Sequence, residues 1–141
     1  MKKIIYTEAI LIHQFIRKSI YKIGYIETLK SIKKDIFDCL ALEDFTINLK
    51  ASVINKMLNY IVNEDKENSL VSSCISITIL AHILCILSNI KSKIVIGVKI
   101  ENGKLFSHSW LKVIDSNKKI INYFEDYRNY KVIKEFCLGD L

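Results

Sequence analysis

Two short stretches carry the side chains with chemistry to offer. Leu70–Ala81 reads LVSSCISITILA and sets Cys74 behind two serines at the start of an apolar run. Phe106–Val113 reads FSHSWLKV and sets His108 in a strand-like segment, with Trp110 two positions on and so on the same face. A free thiol with a pKa of ~8.5 is only about 3% ionised at pH 7. In the first turn of a helix, unpaired N–H groups and the helix dipole favour the thiolate, and a neighbouring imidazole favours it further. An imidazole on a strand opposite that helix start takes the thiol proton and later delivers it to a leaving amine. Together, Cys74 and His108 have the chemistry of a nucleophile and its general base. Taken singly, each has a plainer role, because free cysteine is a common core residue and a strand histidine is commonly part of the packing.

The other histidines and cysteines lack such a setting. His13 and His82 fall within apolar helical stretches and read as structural; Cys85 reads as buried mid-helix, and Cys39 and Cys137 lie away from any helix start. No CxxC pair and no Cys/His ligand spacing occurs, so a zinc site is not expected. There is no glycine-rich phosphate cradle either, so the chain should not hydrolyse ATP, and no cofactor is expected.

Helices must position the cysteine, and strands the histidine. Ile5, Ala9, Ile12, Ile16 and Ile20 recur at helical spacing, as do Ile26, Leu29, Ile32 and Ile36. A third helix is expected over Ala51–Val62, followed by a polar connection, NEDKENS, at Asn63–Ser69. A fourth starts near Cys74, with Ser72 and Ser73 as capping candidates and Asn89 suited to the left-handed residue that ends a helix. Lys93–Ile100 (KIVIGVKI) then reads as a strand, and Asn102-Gly103 as a hairpin turn into a second strand at Leu105–Ile114. A turn at Asp115–Lys118, a third strand at Lys119–Phe124 and a short fourth at Tyr130–Ile133 complete an antiparallel meander. Helices first and strands after make an α+β fold. The 141 residues suggest a single domain, 1–141, with a helical part at 1–67 and the cysteine helix plus strands at 68–141.

Composition narrows the function classes. Half of the residues are apolar, enough for a real core at this length. The net charge of +6 suits an acidic partner, but the basic residues are scattered and no base-stacking aromatics interleave with them. No nucleic-acid partner is expected. The span from Asn68 to Ile90 lacks Asp, Glu, Lys and Arg, yet its serines, asparagines, threonine and histidine favour a buried core helix over a membrane span. The MKKII start carries Glu8 and His13 in its apolar stretch, so no secretory signal is expected. Reduced thiols point to the cytoplasm.

The order helix-cysteine, strand, strand-histidine, strand resembles the transglutaminase-like arrangement of papain-type cysteine enzymes. Within that superfamily the chain resembles the leader peptidases of lasso-peptide biosynthesis. The resemblance runs through Cys74, the helix ILAHILCIL closed by Asn89, Val95-Ile96-Gly97-Val98 and His108-Ser109-Trp110-Leu111, and covers roughly Ser72–Ile133. It implies a cysteine peptidase that removes the leader from a ribosomally made precursor peptide. It also implies two partners: a separate leader-recognition protein, and an ATP-dependent macrolactam synthetase that receives the freed core. The family's third catalytic residue is an Asp after an Asn; here Asn122 is followed by Tyr123. Three residues compete for the role: Asn122, which orients the imidazole as in papain-like sites; Glu125, which a two-residue Ser116-Asn117 turn pairs with His108; and Asp126, given a bulge. Asn122 is preferred. Tyr123 also leaves room for a decayed peptide-binding module, and the same site suits another acyl transfer.

Overall fold

The computed structural model describes residues 6–41, 47–67, 73–114, 120–121 and 127–141. Three helices come first: α1 (Tyr6–Ala41), α2 (Ala51–Glu67) and α3 (Cys74–Leu87). Four strands follow: β1 (Ser92–Glu101), β2 (Lys104–Val113), β3 (Ile120–Ile121) and β4 (Lys131–Phe136). Short 3-10 turns occupy Tyr127–Asn129 and Leu138–Asp140. The class is α+β, with helices preceding an antiparallel sheet.

The first two periodic runs are two helical stretches, as expected, which meet within α1 at a break at Gly24, whose φ of 80° and ψ of 169° lie where side chains clash. Ser19 and Thr28 bridge the kink through their hydroxyls at 2.8 Å, and Thr28 donates to the Gly24 carbonyl at 2.7 Å. A difference from expectation is in α2. It continues through most of the segment expected as a polar connection, because Asp65 is buried there and held by Arg17 at 3.4 Å.

α3 is apolar all round, as a helix buried on every side must be. Its residues Ser76 to Cys85 are all buried. Ser73 caps its start, accepting from the Ser76 N–H at 3.1 Å. Its end closes as a Schellman motif: Asn89 adopts φ 58°, its N–H reaches Ile86 O, and Ile90 N–H reaches Cys85 O. Ala9, Ile16 and Leu29 of α1, Ile54, Leu58 and Ile61 of α2, and Ile94, Leu111, Val113 and Phe136 of the sheet join α3 in one apolar core. Among the described residues, no helix is long and apolar enough to cross a membrane.

The β1–β2 hairpin turns at Asn102 and Gly103, with φ of 53° and 75°, the pair of positive values a type I′ turn requires. The sheet is not the simple meander expected. Its order is β3-β2-β1-β4, so β4 crosses back to the open edge of β1. Pairing there shifts by a bulge between Ile96 and Gly97. β2 pairs with β3 through Leu111↔Ile121 and Lys112↔Ile120. An odd number of residues intervenes between Lys112 and Ile120, whereas a two-residue Ser116-Asn117 turn needs an even number. The register is therefore one residue from the one that would pair His108 with Glu125. The turn at 115–118 and the remainder of the third strand lie outside the described residues.

Candidate active site

The capped start of α3 abuts the middle of β2. Cys74 is the first residue of α3 and is half-buried, and no acidic residue in the first turn opposes a thiolate there. Its sulfur meets the His108 side chain, the Ser109 hydroxyl and the Ser109 backbone N–H. Burial is the largest single influence on this thiol and pushes its pKa up. The hydrogen bonds from His108 and Ser109, with the charge of His108, outweigh it and hold the thiol below its ordinary value. Ser109 is itself anchored to α3 through the Thr78 hydroxyl at 3.3 Å, and Thr78 donates to the Cys74 carbonyl at 2.7 Å.

His108 is 4% exposed and pairs across the sheet with Gly97. Its ring centroid lies 5.7 Å from that of Trp110 and 5.1 Å from that of Tyr130. Trp110 in turn contacts Tyr127 at 5.6 Å. A methyl group at Gly97 would stand under 3.0 Å from Trp110 and Tyr130. Glycine there lets the indole and the phenol close over the strand and form the wall against which the imidazole rests. Gly97 thus serves both a bulge and a close approach. Tyr127 and Tyr130 pack over the sheet against Trp110; Tyr123 lies outside the described residues.

Cys74, His108 and Ser109 open onto one cleft of about 310 Å³, which Tyr25, Ile75, Ile96 and Ser107 also line. A larger, mainly apolar cavity of about 420 Å³ lies toward the other end of α3, between Phe37, Ile86, Ile90 and Leu138. It contains neither Cys74 nor His108, and the chemistry belongs to the smaller cleft. The candidates for the third position, Asn122, Glu125 and Asp126, lie outside the described residues.

The remaining cysteines and histidines have other surroundings. Cys85 is fully buried in α3, and burial pushes its thiol up to about 11 against a hydrogen bond from Ser92. His82 contacts the Ser92 hydroxyl at 2.8 Å and accepts the Leu138 N–H at 3.0 Å, so it pins the chain after β4 to α3. Ser109 was missed in the sequence; its neighbour His108 drew attention, while its own backbone N–H carries no sequence signal.

A family model of the transglutaminase-like superfamily matches residues 56–135, more than half of the chain. The match spans α3, the Cys74 and His108 positions and the sheet up to Glu135 of β4. The chain belongs to the transglutaminase-like superfamily, whose fold and chemistry fit a cysteine peptidase or acyl-transfer role. No curated protein and no solved structure matches it.

Proposed function

We propose that this chain is a cysteine peptidase that removes the leader segment from a ribosomally made, lasso-type precursor peptide. The observation that carries the reading is that Cys74, at the start of α3, and His108 on β2 line one open cleft, where His108 helps hold the thiol below its ordinary pKa. In the reaction, the Cys74 sulfur attacks the scissile carbonyl carbon while His108 holds the thiol proton. The tetrahedral oxyanion is met by the backbone N–H groups of Cys74 and Ile75, which precede the N–H groups taken up by Ser73 and which a helix leaves without intrahelical partners. Collapse breaks the C–N bond, His108 protonates the departing amine, and a thioester remains on Cys74. Water then attacks the thioester, gives its proton to His108 and releases the leader as a carboxylic acid. Asn122 is the proposed third member, orienting the imidazole, with Glu125 and Asp126 as alternates.

The proposed partners are the precursor, a separate leader-recognition protein that delivers it, and an ATP-dependent macrolactam synthetase that takes the freed core. Support for this narrower reading comes from Val95-Ile96-Gly97-Val98 and His108-Ser109-Trp110 on the paired strands β1 and β2. The proposed compartment is the cytoplasm, in keeping with Cys74, Cys85 and Cys137 all being free thiols.

The test is incubation with a candidate precursor and recognition protein, read by mass spectrometry, for wild type, Cys74→Ala and His108→Ala. Both variants should lose cleavage by at least about a thousandfold, the scale on which a nucleophile or its base matters. Equal cleavage by all three would falsify the mechanism. A product carrying an added amine in place of water would move the assignment to amide transfer on the same thioester.

A further inference from the structure

Three buried polar side chains from three helices meet within a turn of Cys74. His13 of α1, Asp65 of α2 and Ser76 of α3 are 1%, 6% and 0% exposed. His13 Nε2 lies 2.9 Å from Ser76 Oγ, and His13 Nδ1 lies 3.6 Å from Asp65 Oδ2. Arg17 Nη1 stands 3.4 Å from the same carboxylate oxygen. The order of groups is that of a Ser-His-Asp hydrolase, but Ser76 is sealed and no substrate carbonyl reaches its oxygen. The arrangement acts on the helix start instead.

The Ser76 hydroxyl donates to the Ser73 carbonyl at 2.9 Å, and its oxygen meets His13 Nε2. The same Ser73 carbonyl also accepts the Ile77 N–H at 3.2 Å. Burial holds His13 neutral, with its pKa down to about 4; the upward pull of Asp65 and the downward push of Arg17 are smaller. Ser76 is thus gripped through both its backbone N–H, by Ser73, and its hydroxyl, by His13. Such a buried polar set fixes a single arrangement, where an apolar contact tolerates sliding. Misplacement of a reacting group by ~1 Å costs on the order of a hundredfold in rate, so the fixing of this turn matters.

We infer that His13, held by Asp65 and Arg17, is a positioning residue that fixes the first turn of α3 through Ser76 and thereby aims Cys74 at His108. This rests on the reading of Cys74 and His108 as the reacting pair. Neither His13, Asp65 nor Ser76 lines the cleft. The groups that face the Cys74 sulfur or share its cleft, His108 and Ser109 of β2 and Tyr25 of α1, are untouched by substitutions in the network.

The test is iodoacetamide alkylation of Cys74 across a pH series, resolved by peptide mass spectrometry, with a thermal melt for each variant. Ser76→Ala and His13→Leu should each slow alkylation at pH 7 roughly tenfold, as a tenfold scarcer thiolate would, and displace the pH profile upward. His13→Gln, whose amide nitrogen falls near the place of Nε2 and re-forms a bond to Ser76, should recover most of the rate. Should His13→Leu fail to fold, Ser76→Ala, which removes one oxygen atom, decides alone. Wild-type profiles in folded Ser76→Ala, with a lowered melting temperature, would overturn the positioning role and leave the catalytic pair standing. A wild-type Cys74 that reacts no faster than an unfolded thiol would overturn both.

Discussion

One added methyl group at Gly97 probes the aromatic wall that holds His108. A Cβ there would stand 2.8 Å from Trp110 Cη2, 2.9 Å from Tyr130 Cβ and 3.0 Å from Trp110 Cζ3, where ordinary contact begins at 3.4 Å. Trp110 is 3% exposed and in contact with His108 and Tyr127, so its ring yields only by disturbing those contacts or by moving into the cavity of about 260 Å³ that it lines with Tyr127 and Tyr130. Tyr130 Cβ is fixed to its backbone just before β4 and moves only with that strand. Overpacking of this kind costs about 1–3 kcal/mol. Removing the freedom of glycine from the unfolded chain returns about 0.4–1 kcal/mol. The net expectation for Gly97→Ala is a loss of about 1–2 kcal/mol, or a melting temperature lower by roughly 3–8 °C in a domain of this size. Relief runs through Trp110 and Tyr130, both against the imidazole, so Cys74 alkylation should slow as well. Trp110→Phe lacks the two clashing ring atoms. The double variant should therefore be more stable than the sum of the single losses predicts, by at least ~0.5 kcal/mol. Urea and thermal unfolding read these values. A Gly97→Ala protein as stable as wild type, or a strictly additive double variant, would refute the packing argument.

Three further outcomes follow from the same structure. Burial holds His82 neutral with its pKa down to about 4, whereas in the unfolded chain it takes up a proton near pH ~6.5. The unfolded state then binds more protons as the pH falls between those values, so stability drops over that window by up to ~1.4 kcal/mol per unit, and His13 adds a slope of the same sign. Urea midpoints taken between neutrality and pH ~5, above the range of most carboxylates, should fall accordingly, and less steeply in His82→Asn; a flat profile contradicts the assignment. Native alkylation should modify Cys74 and spare Cys85, whose thiol burial pushes up to about 11, until denaturant is added; early labelling of Cys85 would count against the core described. Ser109→Ala should slow Cys74 alkylation several-fold by removing one of the hydrogen bonds to the thiolate, and an unchanged rate would remove Ser109 from the site.

The elements that position the pair were legible because their signals are local. Ser73 and Asn89 mark the ends of α3, Asn102-Gly103 marks the hairpin, and the change from helical spacing to the β-branched run KIVIGVKI marks where the sheet begins. The crossing of β4 to β1 was not legible, since a backbone edge accepts any strand and leaves no residue pattern. The gap between the runs ending at Ile20 and starting at Ile26 was legible, and Gly24 with its non-helical backbone angles lies in it. Asp65 looked like one charge in a solvated connection, and His13 like a histidine in an apolar stripe. Their pairing depends on α1 and α2 converging on Ser76, across 63 residues of sequence between His13 and that hydroxyl. At Gly97 the structure shows a bulge against β4 and the close approach of Trp110 and Tyr130, side chains too far along the chain to leave a local signal.

Cys74 and His108 must work as one device, and the pH dependence of Cys74 alkylation in wild type and His108→Ala addresses that most directly. The expected result is a wild-type profile with its midpoint below that of an ordinary thiol, displaced to higher pH when the imidazole is removed, while Cys85 stays unreactive in both. Superimposable profiles for the two proteins, with a midpoint no lower than that of a free cysteine, would contradict it.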